Sequence, residues 1–342
     1  MTLLSASQAD LRRAAEAIRA GLLVAFPTET VYGLGADAFN QTALARIFAA
    51  KGRPRFDPLI VHIAALDTLD RLADLSALSS PLREKALVLS ERLWPGPLTL
   101  ALPKRPLVPD LATSGLPTVA IRFPDHPVAR DLIRLSTGAV AAPSANRFGS
   151  LSPTRAEHVR EQLGDRIDFI IDGGRTRVGV ESTVLDLSGG PRAAVRLLRP
   201  GGVSREAIEA LIGAVETGPD GGAAPASPGQ LKSHYAPRTP LSLHSPEAMA
   251  ALRYRQGELY LFFSQAARDA WLARQHELGA PPERDSVQAL SPSGGALEGA
   301  ANLFDLLHRL DRLGASRIHA EEAPAEGLGP AINDRLFRAA GG

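Results

Sequence analysis

Apolar positions along this chain switch repeatedly between a helical and a strand-like period, and that alternation outlines the fold before any chemistry is considered. Residues 7–20 place Leu11, Ala14, Ala15 and Ile18 on one helix face, with Gly21 as the C-terminal stop. Leu22 to Phe26 is an apolar run too short for a helix and reads as a buried strand. The exchange recurs downstream. Thr42 to Ala50 and Pro81 to Leu93 read as helices, the second stopped by Trp94-Pro95-Gly96-Pro97, while Leu59 to His62, Leu98 to Leu102, Val119 to Arg122, Val140 to Ala142, Phe169 to Asp172 and Ser182 to Leu187 read as strands. Strands and helices in this order predict an α/β domain on a twisted, partly mixed sheet, ending near Ile212.

The pattern then breaks. Residues 213–237 contain Gly218-Pro219-Asp220-Gly221-Gly222 and Ala226-Ser227-Pro228-Gly229, a composition that reads as a linker because it cannot form a packed element. Periodicity returns with a strand at Leu259 to Phe263, a helix at Ala267 to Arg274, a long helix at Gly299 to Leu313 and a strand at Arg317 to Ala320. The expected organisation is a first domain over 1–212, a linker over 213–237 and a small Rossmann-like α/β domain over 238–342.

Composition narrows the chemistry. The chain has 342 residues, 44% hydrophobic and 22% charged, ordinary usage for a globular protein with a sizeable core. It contains no cysteine, which removes disulfides, thiolate metal sites and cysteine nucleophiles. With no charged-then-apolar leader and no apolar run near the ~20 residues that cross a bilayer, no membrane association and a cytoplasmic location are expected. Residues 1–215 hold 26 Lys+Arg against 22 Asp+Glu, an excess that allows a local basic site but is thin for a surface coating nucleic acid. A Walker-type GxxxxGK[ST] loop, an HExxH pair and a Gly-x-Ser-x-Gly elbow are all missing, and Gly33-Leu34-Gly35-Ala36-Asp37-Ala38 lacks the third glycine of a dinucleotide loop.

Three polar loops remain, each following an apolar run where an α/β sheet presents its ligand edge: Pro27-Thr28-Glu29-Thr30, Lys51-Gly52-Arg53-Pro54 and Pro143-Ser144-Ala145-Asn146. Lys51 and Arg53 combine a point charge with a guanidinium fork, which suits phosphate oxygens. Only four of the 38 basic residues are lysines, and Lys51 is one. Arg122 ends a strand that should be buried, so it needs a carboxylate, either from a nearby Asp or Glu or from a ligand. His62 also ends an apolar strand, and Ser144, Asn146 and Ser152 offer small polar groups beside prolines. Together the loops predict a pocket for an anionic, nucleotide-sized ligand.

The strings FPTETVYGLG at 26–35, KGRPRFDPLIVH at 51–62, WPGPLTL at 94–100, TVAIRFPDHP at 118–127, APSANRFGSLSPT at 142–154, GVESTVLDL at 179–187 and LRPGG at 198–202 resemble the YrdC-like threonylcarbamoyl-AMP synthases. SPGQLKSHYAP at 227–237 and GLGPAINDRLFRAA at 327–340 resemble the longer, two-domain branch of that family, so the resemblance spans nearly the whole chain. It implies a YrdC-like mixed sheet and a reaction in which L-threonine, bicarbonate and ATP give threonylcarbamoyl-adenylate and pyrophosphate. The product would feed threonylcarbamoyl-adenosine formation next to the anticodon of tRNA.

Carried over position by position, the family pattern makes Thr30, His62, Arg122, Ala142 and Ser182 contacts of L-threonine. Lys51 and Arg53 would act at the phosphates. Ser114, Ser144, Asn146, Ser152 and either Arg196 or Arg199 would bind ATP, with Mg²⁺ accompanying the triphosphate. Arg53 and Asp57 are counted among the ATP contacts as well, although relatives commonly carry Asn where this chain has Asp57, and a carboxylate beside phosphates repels unless it holds a metal or turns away. Tyr235, with Lys232 and His234, would lie across the opening, touch the nucleotide and exclude water. A downstream tRNA threonylcarbamoyl-transferase complex and a tRNA contact are the partners implied. Two other readings predict different sequences: a carbamoyl-transfer module of metalloenzyme maturation would bring cysteine-rich zinc fingers, and a non-catalytic RNA-binding or ribosome-associated module would need a broad basic face.

Overall fold

The computed structural model describes residues 1–188, 194–217 and 235–341. The described chain divides into two compact units, the first comprising residues 1–148, 152–177 and 181–230 and the second residues 149–151, 178–180 and 231–342. The body of the linker read from the sequence, 218–234, lies outside the described residues and takes Lys232 and His234 with it.

The first unit is built on eleven strands: β1 Thr2–Ser5, β2 Val24–Phe26, β3 Gly33–Asp37, β4 Ile60–Ile63, β5 Leu98–Pro103, β6 Thr118–Arg122, β7 Ala139–Ala141, β8 Phe169–Asp172, β9 Thr183–Asp186, β10 Arg196–Arg199 and β11 Glu216–Thr217. They form one sheet in the order β1-β8-β2-β3-β7-β4-β6-β5-β9-β10-β11. Parallel pairs such as β4 with β6 alternate with antiparallel pairs such as β4 with β7, so the sheet is mixed. Helix ends follow from local chemistry. The Ser7 side chain caps Gln8–Arg19 by accepting from the Asp10 N–H, and Asn40 caps Gln41–Lys51 by accepting from the Ala43 N–H. Gly52 ends the latter helix at φ 64°, a left-handed conformation that glycine adopts without strain.

One strand has no counterpart in the sequence reading. Gly33-Leu34-Gly35-Ala36-Asp37, which fails as a dinucleotide loop, is a central strand. A Cβ on Gly35 would come within 2.7 Å of the Phe26 ring and 2.9 Å of Val140, so the glycine serves packing across β2 and β7.

Two apolar clusters sandwich the sheet unequally. The larger takes Leu98, Leu100, Leu102, Val119, Ile121 and Leu185 from β5, β6 and β9. The other holds Phe26, Val140 and Ile171 with the helices Gln8–Arg19 and Pro127–Leu135, and includes no residue of β5, β6, β9 or β10. Alternation along a strand sends the intervening residues of those four strands to that second face, and they include Thr99 and Arg122. Here the sheet carries polar groups in place of a core.

The second unit has four parallel strands, β12 Leu241–His244, β13 Glu258–Ser264, β14 Val287–Ser291 and β15 Arg317–Glu321, in the order β12-β15-β13-β14. Helices connect them, as parallel strands require. Tyr260, Phe262 and Trp271 centre one of its apolar clusters.

Candidate active site

A single transverse row of the first sheet places much of the candidate site. Along it the register pairs Val140 with His62, His62 with Arg122, Arg122 with Thr99, Thr99 with Val184 and Val184 with Arg199. Four polar side chains from four different strands therefore share one line of the sheet. The row continues into hydrogen bonds: the Thr99 and Ser182 hydroxyls lie 2.7 Å apart, and Arg199 Nη2 donates to the Ser182 carbonyl at 2.9 Å and to its hydroxyl at 3.2 Å.

Arg122 is buried and finds its carboxylate within the protein. Its Nη2 lies 2.8 Å from Glu29 Oε1, on the loop that follows β2. Both carboxylate oxygens of Glu29, and Nε and Nη2 of Arg122, are buried without a well-directed hydrogen bond. Such groups are normally satisfied, so the pair retains capacity for polar partners. Thr30, next in the loop, is fully buried with its hydroxyl 2.8 Å from that of Thr28. Ala142 follows β7, its N–H donating to the Ile60 carbonyl at 2.9 Å.

His62 stacks edge-on against Phe26 and has Nδ1 3.2 Å from the Ile60 carbonyl. A carbonyl can only accept, so Nδ1 carries the proton. Burial first and the Arg122 charge second push its pKa down to about 3. The unfolded chain would hold a proton on this ring below about pH 6.5 that the native state refuses until about pH 3, so stability falls as pH falls through that window. Urea titrations at pH 7, 6, 5 and 4 should show the His62→Gln variant losing less stability than wild type, by up to about 1.4 kcal/mol per pH unit.

A second cationic centre forms where the helix Gln41–Lys51 ends. Lys51 Nζ donates to the Ser144 and Asn146 carbonyls, each at 2.6 Å, and the Lys51 carbonyl accepts from the Phe148 N–H at 2.9 Å. Lys51 thus holds the Pro143–Asn146 turn from both sides. Burial, then Arg53, drives its pKa well below the ordinary lysine range, against the pull of Asp57 and Glu181. Arg53 donates through Nε to the Asp57 carbonyl and through Nη2 to the Pro58 carbonyl, and Nη2 also meets Asp57 Oδ2 at 2.8 Å. The Ser152 hydroxyl donates to Glu181 Oε1, and the Ser144 hydroxyl to Asn146 Oδ1. Ser114 caps the short helix Asp110–Thr113 at φ 54°, its hydroxyl buried without a hydrogen bond.

Arg122 paired with Glu29, and Lys51, Arg53 and Arg199 acting on Asp57, are thus two buried groups of cations within the first unit. The family model Sua5_yciO_yrdC, described as telomere recombination, matches residues 16–201, and that of the threonylcarbamoyl-AMP synthase C-terminal domain matches residues 203–341. The chain belongs to the threonylcarbamoyl-AMP synthase family. The threonylcarbamoyl-AMP synthase of Bacillus subtilis is 44% identical over 99% of this chain and 95% of its own length. That of Pyrococcus abyssi is 44% identical over 97% and 94%. The crystal structure of P. abyssi Sua5 complexed with L-threonine superposes with a TM-score of 0.86 at 40% identity, covering 100% of this chain and 98% of that one.

Within this family site the structure separates the two arginines that the sequence left as alternatives. Arg199 is buried on Ser182 and acts electrostatically on Asp57, whereas Arg196 pairs with Asp186 at 2.5 Å and is 37% exposed. A shift of register between Leu197 and Arg199 puts Arg199 in the row with Thr99. Glu29, Thr99 and Glu181 were not singled out as site residues by sequence. The available signal was position: Glu29 lies inside the quoted Thr28-Glu29-Thr30 run, and a carboxylate there is the obvious counter-ion for a buried arginine.

Tyr235 belongs to the second unit. Its ring is buried at φ 63°, 5.6 Å from the Phe304 ring and 5.4 Å from the Arg335 guanidinium carbon. Ala236 continues from it by donating its N–H to the Gly149 carbonyl at 2.8 Å.

Proposed function

We infer that the chain joins L-threonine, bicarbonate and ATP into threonylcarbamoyl-AMP and pyrophosphate. It is an AMP-transferring enzyme, and the observation that carries the reading is the presence of two cationic centres in one unit: Arg122, paired with Glu29 and in register with His62 and Thr99, and Lys51, Arg53 and Arg199, which all act on Asp57. The first suits the carboxylate of an amino acid, because Nε and Nη2 of Arg122 are buried without a well-directed hydrogen bond. The second suits a triphosphate, and Ser144, Asn146, Ser152 and Ser114 supply small polar groups for the nucleotide. Arg199 is the arginine we assign to it; Arg196 is committed to Asp186.

The chemistry needs no protein nucleophile. The threonine amine adds to bicarbonate with loss of water, giving a carbamate. A carbamate oxygen attacks the α-phosphorus, and the bond to the pyrophosphate oxygen breaks. Negative charge builds on the phosphoryl oxygens in that step, so fixed cations and alignment do the catalytic work. Lys51 has three N–H donors: two meet carbonyls at 2.6 Å, and the third has a long contact, 3.4 Å to Asn146 Oδ1, that a phosphate oxygen would replace. An Mg²⁺ would accompany the triphosphate. That ion would supply further charge neutralisation.

The adenylate product is a reactive mixed anhydride, which favours direct delivery to a tRNA threonylcarbamoyl-transferase in the cytoplasm. No helix among the described residues is long and apolar enough to cross a membrane. Pyrophosphate release should require L-threonine, bicarbonate and ATP together. Equal release with serine, or with no amino acid, would exclude threonine as the specific substrate.

A further inference from the structure

Asp57 is a carboxylate placed directly against Arg53 of the phosphate centre, and it is fully buried. Both of its side-chain oxygens lack a hydrogen bond. What holds it is charge alone: Arg53 Nη2 at 2.8 Å, with Lys51 from the end of its helix and Arg199 from β10 acting on it as well. Glu181, the other acidic group of this centre, acts on Lys51 and accepts from Ser152. An anion in this position does what a phosphate oxygen would do, neutralising the cations that a nucleotide needs.

Resting on the reading of this centre as the triphosphate site, we propose that Asp57 is its resident counter-ion, displaced electrostatically when ATP binds, so that nucleotide binding takes up a proton at Asp57. The argument is one of competition. Burial disfavours the charged carboxylate, and without hydrogen bonds only the three cations offset that penalty. Burial already outweighs them, for the Asp57 pKa lies above the ordinary aspartate value. A triphosphate that draws Lys51, Arg53 and Arg199 to its own oxygens removes the compensation and adds like charge nearby. Protonation of Asp57 relieves both. The proton comes from solvent, and no bond other than O–H forms or breaks. Such coupling makes affinity for ATP fall as pH rises through the titration of the carboxyl in the loaded site.

The side chain at 57 can be changed without dismantling the loop, because Arg53 binds the backbone carbonyls of Asp57 and Pro58. Calorimetric titration of the wild-type protein with the magnesium complex of α,β-methylene-ATP, which cannot be cleaved at the reacting bond, reads the coupling directly. With saturating L-threonine at pH 7.5, the observed enthalpy in phosphate and in Tris should differ by the ionisation heat of a substantial fraction of one proton taken up. Asp57→Asn should remove that difference, bind the analogue about tenfold or more tightly at pH 8, and flatten the pH dependence of Kd between 6 and 8. Binding by the wild type with no buffer dependence would overturn the inference while leaving the nucleotide site intact. So would an Asp57→Asn variant that binds more weakly and needs more Mg²⁺, since the carboxylate would then be a metal ligand. No binding by the wild type at any pH would remove the nucleotide reading itself, and the inference with it. If the variant fails to fold, the wild-type buffer comparison still decides.

Discussion

Arg122→Ala should abolish threonine-dependent pyrophosphate release, lowering kcat/KM for L-threonine at least about a thousandfold, equivalent to about 4 kcal/mol of lost transition-state binding. Charge-assisted hydrogen bonds contribute about 1.5–3 kcal/mol each, so loss of a two-pronged grip on a carboxylate reaches that size. Glu29 adds to it. With Arg122 removed, the Glu29 carboxylate loses its cation and repels an incoming carboxylate without compensation. Stability should fall too, because removing one partner of a buried pair typically costs about 3–5 kcal/mol. The double variant Arg122→Met with Glu29→Gln separates the two effects. Its Tm should recover toward wild type, since neither charge is left unpaired, while turnover stays at background. Recovery of threonine-dependent turnover in the double variant would exclude Arg122 as the carboxylate ligand.

Lys51→Met should raise the KM for ATP about a hundredfold or more while changing the Kd of L-threonine by less than about threefold. The side chain's hydrogen bonds go to the carbonyls of Ser144 and Asn146 and to Asn146 Oδ1, on the turn and not on the strands that carry Arg122, His62 and Thr99. Methionine fills a similar volume but leaves both carbonyls without their donor and removes one of the cations facing the phosphates. The Ser144–Asn146 turn then loses its anchor as the triphosphate loses a charge partner. Steady-state kinetics with each substrate varied, together with threonine titration by calorimetry, read the two constants apart. A parallel loss of threonine and ATP affinity would show that Lys51 acts through general loosening of the domain.

These expectations depend on contacts of very different visibility in the chain. The strands Leu98–Pro103, Thr118–Arg122 and Phe169–Asp172 lie within a residue or so of where apolar periodicity places them. They are short, buried and bounded by Gly, Pro and charged residues, the conditions under which local pattern and tertiary need agree. Gly33–Asp37 was less legible. Two glycines read locally as a turn, yet Phe26 and Val140 occupy the space a side chain would fill, and packing keeps the segment extended.

The site shows the same division. Local sequence determined which residues carry chemistry: Lys51, Arg53, Arg122 and the 143–146 turn each stand out by type, by neighbouring Pro or Gly, and by position after an apolar run. Their partners were set by the tertiary structure. Arg122 takes Glu29 from 93 residues earlier, Lys51 takes carbonyls at 144 and 146, and Arg199 rather than Arg196 joins the polar row because of one shift in register against β9. Periodicity assigns a residue to one face of its own strand. Which neighbour it meets depends on strand order and register, which long-range pairing decides, and in this protein that pairing brings two cationic centres to one sheet with an aspartate already seated in the second.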